Sequence, residues 1–155
     1  MKAWSYYVET SVWGMIPKGQ PREMRRTSLQ FLRRFPRELF HISTVVYREI
    51  AASDESSKFQ IMEVLNELIP ISFDVTSEVD FLARFYIESG ILPPKKLDDA
   101  LHVALATVHE MRVLVSWNHR HIANARKTEL YRAANLIRGY SSTPMILTPV
   151  EVIHG

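Results

Sequence analysis

Glu9, Glu49, the Asp98-Asp99 pair and Asn118 are the residues through which this chain would do chemistry. Glu9 directly follows the apolar run WSYYV, where a charge is an odd choice for packing. Glu49 lies in the helical stretch after a second strand-like run, Asp98 and Asp99 open a strongly apolar helical stretch, and Asn118 closes the short run VLVSW. In an open α/β sheet, groups just past the carboxyl ends of strands share one edge, so residues remote in sequence can converge there. Gathered carboxylates repel one another and take up protons unless a cation neutralises them. Hard oxygen donors suit Mg²⁺ or Mn²⁺, and such a centre activates water and stabilises charge during phosphodiester cleavage.

Taken singly, each residue has a plainer role. Acids in the first turn of a helix are favourable partners for its dipole. Glu49 beside Arg48 fits a solvated helix face, and Asn118 alone fits a turn. Only the set carries the chemical reading. The histidines offer less: His102 and His109 share a helix face, and an Asp99–His102 contact is available at i,i+3. No HExxH-like spacing occurs, which argues against zinc. His119, Arg120 and His121 suit contact with phosphate, and suit a solvated loop equally well. Among the five glycines, none forms GxGxxG or a P-loop, and the GxSxG elbow of a serine hydrolase is absent.

Positioning these residues requires strands that alternate with helices. The pattern predicts strands over residues 4–8, 39–43, 69–73, 113–115 and 145–147, with helices over 22–35, 44–50, 59–68, 74–89, 97–108 and 125–138. Thr44 and Thr76 are predicted caps, and Gly90 and Gly139 predicted stops. A loop is expected between Ser11 and Arg22 because Gly14, Pro17, Gly19 and Pro21 fall there. The alternation implies an α/β protein with a central parallel sheet and helices on both faces, as a single domain over residues 1–155. Apolar residues make up 46% and charged residues 23%, which is ordinary for a globular chain. The absence of cysteine excludes disulfides and thiolate metal sites. The apolar runs are too short for a membrane span, and a cytoplasmic location is expected. Formal charge is +2 with a sequence pI near 9.0, a mild bias toward anionic partners.

The chain also resembles a known family. YYVETSVWG is similar to the YhDTSvhG opening of PIN-domain proteins, where h is apolar, and LDDALHVALAT…VLVSWNHRHIAN resembles the DALHhAhAT…hLVsWNfrHI segment of a bacterial and archaeal branch. STVVYREI falls where that family has its second acid, and the similarity runs in order along nearly the whole chain. The resemblance implies a three-layer α/β/α fold and a Mg²⁺- or Mn²⁺-dependent ribonuclease like the VapC-type toxins, with an antitoxin partner and a homodimeric state. It implies Glu9, Glu49 and Asp99 as metal ligands or water-positioning groups, with Asp98 the fallback. Asn118 takes the place of a fourth acid, Thr10 and Ser11 support the first ligand, and His119, Arg120 and His121 meet RNA. One departure stands out: the family's first acid is normally Asp. A pocket still shaped for Asp would make Glu9→Asp more active than the native residue. The alternative is a PIN-like module that binds RNA or protein with weak or no catalysis.

Overall fold

The computed structural model describes residues 4–155. Strand β1 (Tyr6–Val8) leads at once into a short helix, α1 (Thr10–Trp13), followed by the long α2 (Arg22–Arg34). A 3-10 turn (Arg37–Leu39) precedes β2 (Phe40–Ser43), then α3 (Thr44–Ala51) and α4 (Glu55–Leu68). β3 (Ile71–Phe73), α5 (Ser77–Glu88) and a second 3-10 turn (Pro94–Lys96) lead to α6 (Leu97–Val108) and β4 (Val113–Val115). α7 (Ala125–Ile137), β5 (Met145–Leu147) and α8 (Pro149–His154) complete the chain.

The five strands form one parallel sheet in the order β3-β2-β1-β4-β5. Alternation along the strands splits the core in two. Tyr6 and Val8 of β1, with Val113 and Val115 of β4, pack against one apolar cluster with Phe31 and Leu32 of α2 and Ile61 and Leu65 of α4. Tyr7 and Leu114 face the other, with Leu82 and Tyr86 of α5, Ala104 of α6 and Tyr131 of α7. Successive side chains of a strand point to opposite faces, so a strand buried on both must be apolar throughout. The result is the expected three-layer α/β/α arrangement. Helix α6 is its deepest helix: every residue from Ala100 to Thr107 is buried.

Several boundaries differ from the sequence reading, each for a local reason. Residues 10–13 form a helix across the expected strand end and the start of the expected loop because Glu9 caps them, its side chain accepting from the Ser11 N–H. Helix α3 is capped by Ser43, not Thr44, through the Val45 N–H. Asp54 caps α4, so the helix begins at Glu55, four residues before its apolar pattern does. Ile69 belongs to the end of α4 and takes the left-handed conformation at φ 48°, so β3 starts only at Ile71. Thr76 does cap α5, and Gly90 follows it at φ 79°. Helix α8 was missed, although Thr148 and Glu151 form a capping box around Pro149 at the first helical position.

Candidate active site at the carboxyl edge

The strand order reverses direction between β1 and β4, the neighbouring pair from which the chain builds outward on both sides. Crevices outside the carboxyl ends of strands at such a reversal are the usual ligand sites of open α/β sheets. Glu9 follows β1 and Ser116 follows β4, and the two meet there. The Ser116 hydroxyl donates to Glu9 Oε1 at 2.5 Å, and the Ser11 hydroxyl donates to the same oxygen at 2.6 Å. The Ser11 N–H donates to Oε2 at 3.0 Å. Ser11 in turn accepts from the Trp117 N–H, and Ser116 accepts from the Asn118 N–H. Both hydroxyls are therefore committed to bonding the two strand ends together through Glu9, which is buried. Ser116 was not singled out from the sequence; a small polar residue closing an apolar strand beside a functional Asn was the available signal.

Glu49 comes from α3 on the neighbouring strand's crossover. It is not the solvated residue that Arg48 suggested: its side chain is 28% exposed, and its Oε1 lies 2.6 Å from both the Thr10 hydroxyl and His102 Nε2. Burial pushes this carboxyl up, but the hydrogen bond and charge of His102, with Thr10, outweigh it and hold Glu49 below its ordinary value.

His102 is fully buried in α6. Its partner is Glu49 rather than Asp99, the contact that helical spacing suggested; its other nitrogen, Nδ1, lies 2.8 Å from the Tyr7 hydroxyl. Burial opposes its charged form, yet the Glu49 hydrogen bond and the charges of Glu9, Glu49 and Asp99 raise its pKa. Glu9 Oε2 stands 3.9 Å from Nε2. Carboxylate oxygens of Glu9 and Glu49 and a ring nitrogen of His102 all lie within 4.8 Å of one another. That tight group has His102 where the sequence reading had Asp99.

The adjacent aspartates have different surroundings. Asp98 is turned to the surface in a two-pronged pair with Arg48, at 2.8 and 3.1 Å. Asp99 is half-buried, and burial followed by the charge of Glu9 raises its carboxyl above the ordinary value, against smaller opposing effects of His102, Asn118 and Lys96. Asn118 also builds the loop beyond β4: its Oδ1 accepts from the His121 N–H, and its carbonyl accepts from Ile122 and Ala123. Asn124 holds the carbonyls of His119 and Arg120 and caps α7. His119 and Arg120 are exposed and His121 is half-buried. Burial lowers the His121 pKa, reinforced by the charges of Lys96, Arg120, Lys127 and Lys95. These basic groups gather around His121, Lys96 also acts on Asp99, and none of the four is in a salt bridge among the described residues.

The donor set fits a hard divalent cation. The carboxylate oxygens of Glu9 and Glu49 are donors of the kind such a cation takes, and Asp99, raised first by burial and then by the charge of Glu9, is a third oxygen donor within reach of that charge.

No protein-family model and no curated protein matches the chain. Solved structures do. A chain in the crystal structure of VapBC2 from Rickettsia felis bound to a DNA fragment from their promoter is 14% identical, with 92% of this chain and 97% of that one aligned at a TM-score of 0.54. A chain in the structure of DNA-bound VapBC from Salmonella typhimurium is also 14% identical, with 95% and 99% covered and a TM-score of 0.54. At that identity the likeness is one of fold: a PIN-like α/β/α arrangement matched along nearly the whole length of both chains.

Proposed function

We propose that the chain is a divalent-metal-dependent ribonuclease and the toxin of a type II toxin–antitoxin pair. The observation that carries this reading is the cluster at the β1–β4 reversal, where Glu9 and Glu49 approach within 4.8 Å of His102 and the charge of Glu9 bears on Asp99. Glu9, Glu49 and Asp99 hold Mg²⁺ or Mn²⁺, and Asp98, paired with Arg48, gives way to Asp99 as the third ligand. When bound, the ion activates water and offsets charge on the phosphodiester. Thr10 and Ser11 orient the two glutamates through the hydrogen bonds described above. Asn118 supplies a neutral polar group beside Asp99, and His119, Arg120 and His121 meet the RNA backbone from the adjoining loop. Likeness to chains of VapBC complexes supports an antitoxin partner. The protein acts in the cytoplasm as a homodimer of single domains spanning residues 1–155; among the described residues no helix is long and apolar enough to cross a membrane.

The test is RNA cleavage with and without Mg²⁺ or Mn²⁺, with Asp99→Asn as control. Cleavage that needs the ion and disappears in Asp99→Asn is the expected result. Retained RNA binding with no cleavage under either ion leaves the non-catalytic alternative, an RNA-binding or protein-interaction module.

A further inference from the structure

A chain of hydrogen bonds runs from the middle of the sheet to the Glu49 carboxylate. Ser43 closes β2, and its Oγ accepts from the Val45 N–H as the cap of α3. The Tyr7 hydroxyl lies 2.7 Å from Ser43 Oγ and 2.8 Å from His102 Nδ1. His102 Nε2 then reaches Glu49 Oε1 at 2.6 Å. Tyr7, Ser43 and His102 are all fully buried, and apolar Val45 and Ala104 belong to the cluster around Tyr7.

Counting hydrogens decides what His102 does. An ionised carboxylate only accepts, so a 2.6 Å contact with Glu49 requires the hydrogen on Nε2. This holds for the neutral ring and the imidazolium alike. Nδ1 points the other way, at Tyr7 inside the core, with no line to the carboxylates. The neutral arrangement satisfies every member: the Ser43 hydroxyl donates to Tyr7, Tyr7 donates to Nδ1, and Nε2–H donates to Glu49. Neither ring nitrogen then offers a lone pair to an ion, although His102 belongs to the tight cluster.

We infer that His102 is a positioning residue and not a metal ligand: Tyr7 and Ser43 fix its ring so that Nε2–H, together with Thr10, holds one oxygen of Glu49 and leaves the other for the cation. The inference rests on the metal-dependent reading of the site and deepens it. Groups that orient a ligating side chain in this way typically change metal affinity by about 10- to 100-fold when removed.

The test is Mn²⁺ affinity of the full chain, measured by calorimetric titration, in wild type, Tyr7→Phe, His102→Leu and His102→Gln. Tyr7→Phe removes one oxygen and no volume, so it carries the test even where His102→Leu fails to fold; thermal unfolding without metal reports the fold of each. The expected result is a loss of at least about 10-fold in Tyr7→Phe and His102→Leu, with partial recovery in His102→Gln, whose amide can donate to Glu49. Electron spin echo modulation of the Mn²⁺-loaded wild type is expected to show no directly coordinated imidazole nitrogen. Direct nitrogen coordination, unchanged affinity in Tyr7→Phe, or no Mn²⁺ binding by wild type overturns the inference. Mn²⁺ binding with the expected variant losses but without RNA cleavage leaves the positioning role standing and removes the ribonuclease reading instead.

Discussion

Ser116 Oγ sits 2.5 Å from Glu9 Oε1 across 107 residues of sequence, and this contact closes the seam between β1 and β4 at the carboxyl edge. Together with the two bonds from Ser11, it surrounds a glutamate of full length. This geometry favours a pocket fitted to glutamate over one still shaped for aspartate.

Glu9→Asp is therefore expected to lower activity rather than raise it. Withdrawing the carboxylate by one methylene, about 1.5 Å, strands the Ser116 and Ser11 hydroxyls in a buried seam. Leaving such donors unpaired costs about 1–3 kcal/mol, read as a lower melting temperature alongside weaker Mn²⁺-dependent cleavage. Glu9→Gln, which keeps the length but not the charge, is expected to abolish cleavage because an amide is a poor ligand for a hard cation. Cleavage by Glu9→Asp at or above the wild-type rate would show that the seam accommodates the shorter acid after all.

The adjacent aspartates are expected to separate cleanly. Asp98→Asn removes a partly exposed pair with Arg48, whose side chains are 35% and 59% accessible. Its effect on stability is at most about 1 kcal/mol, with cleavage retained. Asp99→Asn is expected to lose metal-dependent cleavage. Parallel rate measurements on the two variants decide it, and equal losses would contradict the different surroundings of the two side chains.

His102 gives the metal-free protein a pH-dependent stability. Burial lowers its pKa, but the Glu49 hydrogen bond and the surrounding acids outweigh this, and the folded value lies above the ordinary 6.5. The folded state thus binds this proton more tightly than the unfolded chain does. The stability gained is fully present below 6.5 and is lost as pH rises through the folded value. Melting temperature in EDTA is expected to fall over that range in wild type and to flatten in His102→Gln. A wild-type curve as flat as the variant's would remove the buried His102–Glu49 pair from the account.

Arg120→Ala is expected to weaken RNA binding across sequences, since Arg120 is exposed on the loop following Asn118, beside Lys96 and Lys127. Loss of one phosphate contact reduces the slope of log affinity against log salt by about 0.7 for a single strand. A salt titration of binding to several unrelated oligonucleotides measures this, and an unaltered slope would mark Arg120 as ordinary surface.

Local pattern determined a large part of this protein. Helix α6 and strand β4 were legible because a run that is apolar on every side and bounded by Pro94 and Asn118 has only the centre of the fold to occupy. The alternation of strands and helices named the architecture, and acids falling after strands named Glu9 and Glu49 as candidates. Short helices such as α1 escaped notice because four residues hold too little periodicity to reveal one. Tertiary structure decided the rest. The order β3-β2-β1-β4-β5 makes β1 and β4 neighbours, and only then does Ser116 meet Glu9. The separation of Asp98 from Asp99 depends on where Arg48 of α3 lands. Helical spacing offers His102 only neighbours along its own helix, such as Asp99, whereas its hydrogen-bond partners Glu49 and Tyr7 arrive from α3 and β1. Period and composition are properties of short windows. Convergence follows from burying both faces of the sheet at once, and that constraint acts on the whole chain.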